Sequence, residues 1–340
     1  MFTALIEKVV RHEDLTEDEA GGVMREVMEG RASVPSLTAL LAVLRMKGER
    51  PGEIVGFARA MRAHAVKLAS PPGAVFDTCG TGGDGSGTFN ISTAAAIVVA
   101  ASGVRVAKHG NRSVSSRCGS ADVFEHLGVR VDAPPAVVEQ TLQTANIAFF
   151  FAPTFHPAMK HAGQARRELG MRTAFNLLGP LTNPAGATRQ IVGVPRAEFT
   201  ELLAHALLRL GSERAWVVHG ADGLDELSTS GYTKVSECRG ATVHTFYVHP
   251  SDVGLRKVAV SELQGGDAAA NAEIIRAVLD GTPGAAREVV LLNAGAALFV
   301  AGACASVPDG IALAATAIDS GAARRTLDTL ARSSHAEVAA

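Results

Sequence analysis

The sequence predicts an α/β protein, with a small helical domain followed by a larger α/β domain on a central, mostly parallel sheet. Only helical patterns occur in the first seventy residues, and strand-like and helix-like segments alternate after Ala69-Ser70-Pro71-Pro72-Gly73. The strands are also near-continuously apolar, as strands covered on both faces must be. A chain of 340 residues, 47% hydrophobic and 19% charged, holds enough apolar material for a sizeable core in one large or two modest domains. The net charge of -2 removes any global basic field for nucleic acid, and one Trp and two Tyr leave little for base stacking. Cys79, Cys118, Cys238 and Cys304 lie far apart, which argues against a zinc site or disulfide framework and fits a reducing compartment. The N-terminus lacks the basic start and apolar run of a signal peptide, and Ala94–Ala101 and Ile147–Ala152 fall short of the roughly 18 residues of a membrane span. A soluble, cytoplasmic protein without membrane partners is expected.

Thr16 and Glu19 make a capping box at the start of one helix. Ser36 opens another, with Leu37, Leu40, Leu41, Val43 and Leu44 on a broad apolar face, and Pro51 starts a third. Beyond the Pro-Pro-Gly break, Ala74–Asp77 reads as a strand and Ser92–Ser102 as a small-residue helix stopped by Gly103. The strand Val104–Ala107, a helix capped by Ser120, the helix Pro134–Ala145 and the strand Ile147–Phe151 follow. Pro157–Leu169 is helical up to Gly170. Gln190–Val194 and Ala215–His219 are strands around the helix Ala197–Leu210, Lys234–Val248 adds antiparallel strands, and helix returns from about Ala268. The division is residues 1–70, joined by helices from about 160–190, and residues 73–340.

The sharpest feature runs from a strand through Gly80, Gly82, Gly83, Gly85 and Gly87 into a helix. Glycines bring backbone N–H groups close to a ligand, and the helix N-terminus adds partial positive charge, which together make a phosphate cradle. Gly80, Gly82 and Gly85 fit the spacing of a dinucleotide site, but the acidic residue expected about twenty positions on is missing, and Asp84 would repel a bare pyrophosphate. No Lys-Ser/Thr follows as in a P-loop; Asn90, Ser92 and Thr93 stand at the helix start instead. A second element, Lys108–Asp122, follows the next strand and so lies at the same sheet edge. Its cationic residues and serines suit a multiply phosphorylated anion. A third, Asp222-Gly223-Leu224-Asp225-Glu226, offers adjacent carboxylates that point apart and can reach two neighbouring hard cations.

With Gly80–Asp84, Asn90-Ile91-Ser92-Thr93, Lys108–Arg112, Arg166–Gly170, Asn176–Pro184 and Asp222–Glu226 in this order, the sequence resembles the anthranilate phosphoribosyltransferases. The resemblance implies the nucleoside phosphorylase/phosphoribosyltransferase-like fold and a glycosyltransferase of tryptophan biosynthesis. Anthranilate and 5-phosphoribosyl 1-pyrophosphate would give N-(5-phosphoribosyl)anthranilate and pyrophosphate. It also implies ligands held between the two domains, and a homodimer. By the same resemblance Gly80, Gly82, Gly83, Asp84, Thr88, Asn90, Ile91, Ser92, Thr93, Lys108, Gly110, Asn111, Arg112, Ser113, Ser116 and Ser120 bind the phosphoribosyl donor. Ser92, Asp225 and Glu226 bind Mg²⁺, with two ions expected. Gly80, His109, Asn111, Arg166 and Gly179 line the anthranilate route, and Lys108, His109 and Arg166 are the catalytic candidates. Neighbouring helical residues point about 100° apart, so at most one of Arg166 and Arg167 faces a substrate.

The chemistry agrees with these roles. The leaving pyrophosphate gathers negative charge, which a divalent cation, Lys108 and backbone N–H groups stabilise. An aromatic amine has its lone pair free, so positioning and charge stabilisation suffice without a covalent intermediate. A pyrimidine-nucleoside phosphorylase would share the fold but use phosphate as nucleophile. A nucleic-acid-binding relative would show salt-dependent DNA affinity.

Overall fold

The computed structural model describes residues 1–70, 73–113 and 117–337. Four helices open the chain, Phe2–Val10, Glu17–Met28, Val34–Lys47 and Pro51–Ala63. The capping box is present: the Thr16 hydroxyl accepts the Glu19 N–H at 3.2 Å, and the Glu19 carboxylate accepts the Thr16 N–H at 2.8 Å. The next helix starts before its expected position. Ser33 is the cap, accepting from the Ser36 N–H at 3.3 Å, because Pro35 fits a first turn where no N–H is needed.

Seven strands form one sheet: β1 Phe76–Asp77, β2 Val106–Gly110, β3 Ile147–Phe151, β4 Arg189–Gly193, β5 Arg214–Gly220, β6 Thr233–Arg239 and β7 Thr242–Val248. Their order is β3-β2-β1-β4-β5-β6-β7; the first five are parallel, and β6 and β7 are antiparallel additions. From β1 the chain first builds outward to β2 and β3, then crosses to β4 and β5 on the other side. Connections that diverge in this way leave a crevice beyond the carboxyl ends of the strands, here between β1 and β4.

Period-two alternation divides the strand side chains between two layers. Ala215 and Val217 of β5 join one core, and Trp216 and Val218 the other. The first core is continuous with the helix Glu198–Arg209 and the N-terminal helices, and takes in Ala162–Leu181. The second is closed by the helix Ile91–Ala101 and the C-terminal helices Ala268–Leu279, Ala285–Ala301, Val307–Asp319 and Ala322–Ser334. The two domains therefore share apolar packing beside the crevice.

β1 is shorter than expected, starting at Phe76, and further boundaries differ from the sequence expectation. β2 starts two residues later and continues through Gly110, with Lys108 in register with Phe149 and His109 with Phe150. The polar residues that mark a strand end by pattern are buried strand residues here. Pro157–Leu169 divides into a 3₁₀ turn, Pro157–Ala162, and an α-helix, Gly163–Leu169. The helix Ser120–His126 has Gly119 as its cap residue in place of Ser120. None of the four cysteines is in a disulfide, and no helix among the described residues is long and apolar enough to cross a membrane.

Candidate active site

The glycine-rich loop leaves β1 and is fastened at both ends before entering the helix Ile91–Ala101. The Thr81 N–H donates to the Gly193 carbonyl at the end of β4, at 2.9 Å. Further along, the Gly265 N–H donates to the Gly87 carbonyl at 2.9 Å and the Gln264 amide to the Ser86 carbonyl at 3.0 Å. Glycine is favoured at Gly83, where φ is +81° and the guanidinium of Arg172 occupies the space a methyl group would take. Gly193 is equally constrained, since a methyl there would strike the Asp225 carbonyl.

Several candidate residues meet at this edge. Asp225 and Glu226 follow β5, and the Asp225 N–H donates to the Asp84 carboxylate at 3.4 Å. A small cavity lies between Thr78, Gly80, Ser92, Gly193, Glu226 and Asn293. Lys108, 1% exposed, donates to the Thr78 carbonyl at 3.2 Å, the Thr78 hydroxyl at 3.1 Å and the Ser92 hydroxyl at 3.4 Å. The Asn90 amide donates to the Cys118 carbonyl at 3.3 Å, linking the loops after β1 and β2. Ile91 and Thr93 are buried beneath the helix start, while Ser92 is half-buried beside the cavity. Gly110 leaves room for the Ser120 hydroxyl, and Thr88 bridges to Gln264.

The rest of the second loop is arranged differently. Arg112 is exposed and paired with Asp122 at 3.1 Å and Glu125 at 2.6 Å, and the Ser113 N–H donates to Asp122 at 3.1 Å. The Asn111 side chain accepts from the Arg112 N–H at 2.8 Å. Ser116 lies outside the described residues.

On the other side of β2, the Asp77 carboxylate accepts the His109 N–H at 3.1 Å and the Asn183 amide at 2.7 Å. Burial pushes the Asp77 carboxyl up to about 6. His109 Nδ1 lies 3.0 Å from the Gly179 carbonyl, which can only accept, so Nδ1 carries the proton and Nε2 bears the lone pair. That Nε2 is buried without a protein partner. Burial, followed by the neighbouring His156, holds the ring neutral with a pKa pushed down to about 3. Asp77, Cys79 and His109 form a close buried trio. Both Asp77 oxygens are already hydrogen-bonded and burial keeps the Cys79 thiol protonated, so the trio does not offer a metal its ligands.

The two buried histidines have a consequence for stability. His156 donates from Nε2 to the Thr182 carbonyl at 3.0 Å, and burial lowers its pKa to about 4. A histidine whose folded pKa is lowered costs nothing above its unfolded value of about 6.5. Below that value the unfolded chain takes up a proton that the folded chain refuses. The melting temperature of the wild type relative to His156→Asn is therefore expected to fall between about pH 6.5 and about pH 4, and to be level above it. Melting curves of both proteins across that window read the effect.

Burial raises the carboxyl groups of Asp225 and Glu226; Asp84 adds to the rise at Asp225, Asp225 and then Asp84 add to it at Glu226, and Lys108 opposes it at Glu226. Carboxylates gathered at one crevice with a serine hydroxyl are a hard donor set of the kind a divalent cation takes. The residues fit Mg²⁺. On the helical side, Arg166 is half-buried with its guanidinium 5.8 Å from the Phe175 ring centre, while Arg167 is exposed. Only one of the pair faces inward.

Sequence pattern gives no role to Arg172 or Gly193, and Asn183 stands only within the stretch Asn176–Pro184 that carries the family resemblance. Arg172 has one local signal, a cation two residues beyond the helix-ending Gly170, whereas the partners of Asn183 and Gly193 are distant in sequence.

Two family models match the chain. One is described as glycosyl transferase family, helical bundle domain, over residues 3–65, and the other as glycosyl transferase family, a/b domain, over residues 72–324. The anthranilate phosphoribosyltransferase of Moorella thermoacetica is 54% identical over 330 residues, covering 97% of each chain. The crystal structure of the Thermus thermophilus anthranilate phosphoribosyltransferase superposes with a TM-score of 0.91 at 44% identity, covering 98% of this chain and 99% of that one. The Saccharomyces cerevisiae enzyme in complex with PRPP and Mg has a TM-score of 0.87 at 28% identity, covering 98% and 97%. The chain therefore belongs to the glycosyl transferase family of this two-domain build and, within it, to the anthranilate phosphoribosyltransferases.

Proposed function

We infer that this chain moves the phosphoribosyl group from 5-phosphoribosyl 1-pyrophosphate to the amine of anthranilate, releasing pyrophosphate, as its family does in tryptophan biosynthesis. The observation that carries this is the convergence of the glycine-rich loop, buried Lys108 and the Asp225-Glu226 pair on one crevice beyond the strand ends. The backbone N–H groups of the loop and the N-terminus of Ile91–Ala101 hold the pyrophosphate. Ser92, Asp225 and Glu226, with Asp84 beside them, hold Mg²⁺, with two ions proposed. When bound, the metal supplies Lewis-acid stabilisation of the departing pyrophosphate. Lys108 contributes a second, fixed positive charge beneath it.

The guanidinium of Arg166 takes the anthranilate carboxylate, and the Phe175 ring beneath it excludes water. His109 Nε2, a bare lone pair held by the Gly179 contact, accepts a hydrogen bond from the substrate amine and aims the amine's own lone pair at the ribosyl carbon. The remaining residues named for the donor, including Asn111, Arg112, Ser113 and Ser116, take part once the loop after β2 meets the ligand. Arg112 would then exchange Asp122 and Glu125 for phosphate. The family's homodimer and cytoplasmic setting are proposed too; exposed Met1, Val10 and Met46 on the helical domain support an interface there.

Loss of anthranilate fluorescence with the donor and Mg²⁺, abolished by EDTA, tests the reaction. Replacing Arg166 by Gln is expected to raise the KM for anthranilate about 10- to 100-fold while leaving the KM for the donor nearly unchanged. An equal rise for both substrates would move Arg166 out of the acceptor site.

A further inference from the structure

Arg172 is the charged group in the crevice that the assigned roles leave unused. It follows the turn at Gly170, and its guanidinium reaches across from the helical side to the glycine-rich loop. There it donates from Nη2 to the Thr81 carbonyl at 3.1 Å and lies against the backbone of Gly83, in space that only a glycine leaves open. Asp84 and Asp225 are its attracting charges, whereas Arg45 and Arg166 face it as like charges. The guanidinium thus lies against the loop whose N–H groups would hold pyrophosphate, in the field of Asp84 and Asp225.

We propose that Arg172 is the resident cation of this crevice, neutralising Asp84 and Asp225 and excluding free divalent metal until the phosphoribosyl donor displaces its guanidinium from Gly83. The inference rests on reading Asp225 and Glu226, with Asp84 beside them, as the metal site. Geometry supplies the coupling. A pyrophosphate seated on the Gly83 backbone and the guanidinium compete for the same volume, so arrival of the donor frees the carboxylates when its own metal must be bound. Without such a cation, adjacent buried carboxylates would collect metal unaccompanied by substrate. Arg172 then makes metal and donor bind together, as a positioning residue whose side chain touches neither reacting atom.

The probe is Mn²⁺, titrated into the full-length protein without donor and followed by electron paramagnetic resonance. Arg172→Gln is expected to bind Mn²⁺ about tenfold more tightly than wild type, and Arg172→Lys, which keeps the charge, to stay close to wild type. Adding Asp225→Asn/Glu226→Gln to Arg172→Gln should remove the gain. Circular dichroism checks folding, and the lysine variant serves if the glutamine variant does not fold. Tight Mn²⁺ binding by Arg172→Lys, or wild-type affinity in a folded Arg172→Gln, overturns the proposal while leaving the metal site standing. Absence of Mn²⁺ binding in every protein, with and without donor, overturns the metal assignment itself and this inference with it.

Discussion

Asp225→Asn/Glu226→Gln is expected to lose at least about 10³-fold in kcat/KM and to gain stability at the same time. The loss follows from removing the acidic ligands beside Ser92 and Asp84. The gain follows from the sign of their titration. Burial, with the negative charge of Asp84 beside Asp225 and of Asp225 beside Glu226, raises both carboxyl groups above their ordinary range. A raised carboxyl contributes most stability below its unfolded value of about 4 and surrenders it as pH rises through the folded value. At pH 8, without metal, the wild type therefore carries a penalty that the two neutral amides lack. A rise of at least about 2–4 °C in melting temperature at pH 8, shrinking toward pH 5, is expected. Saturating Mg²⁺ and donor should reverse the order by stabilising only the wild type. A lower melting temperature for the variant at pH 8 would show that the carboxylates support the loop and do not strain it.

The same carboxylates show how far sequence reading reaches. Local signals transferred well. The capping box at Thr16 and Glu19 formed as its spacing requires, and the apolar runs at Ile147–Phe151 and Ala215–His219 became β3 and most of β5. Both depend on neighbours within a few residues or on simple periodicity. The chain boundary at β2 failed for the opposite reason. Lys108 and His109 break an apolar pattern, yet they are strand residues, because Thr78, Ser92, Asp77 and Gly179 supply their polar partners from elsewhere. Buried polarity of that kind is paid for by tertiary contacts that no local window contains.

The crevice was anticipated in outline, since loops after successive parallel strands fall at one sheet edge. Its electrostatic detail was not. The pairing of Arg112 with Asp122 and Glu125 is plain only in three dimensions, as is the reach of Arg172 to Gly83. Gly193 shows why motifs alone are insufficient. It belongs to no glycine cluster, yet its missing side chain lets the Asp225 backbone approach β4, and its carbonyl fixes Thr81. One small residue thereby holds the acidic and glycine-rich segments together.

Lys108→Met should combine a large kinetic defect with a stability defect of opposite pH dependence to that of the carboxylate double variant. The ammonium is the fixed cation next to Asp77 and Glu226 and lowers the carboxyl group of each. Removing it takes away charge that stabilises the departing pyrophosphate, at an expected cost of about 10²- to 10⁴-fold in kcat. It also leaves buried carboxylates without their counter-charge, a cost that appears only where they ionise. Asp77 titrates at about 6 with the lysine present and must titrate higher without it. The carboxyl groups are then protonated in acid, and the deficit disappears there. The melting difference between wild type and Lys108→Met is thus expected to be large at pH 8 and small near pH 5. Methionine keeps most of the aliphatic stem, so packing loss contributes little to either defect. A deficit independent of pH would assign Lys108 to packing. A pH-dependent deficit with an unchanged kcat would confine its charge to holding Asp77 and Glu226, and the leaving group would need another fixed cation.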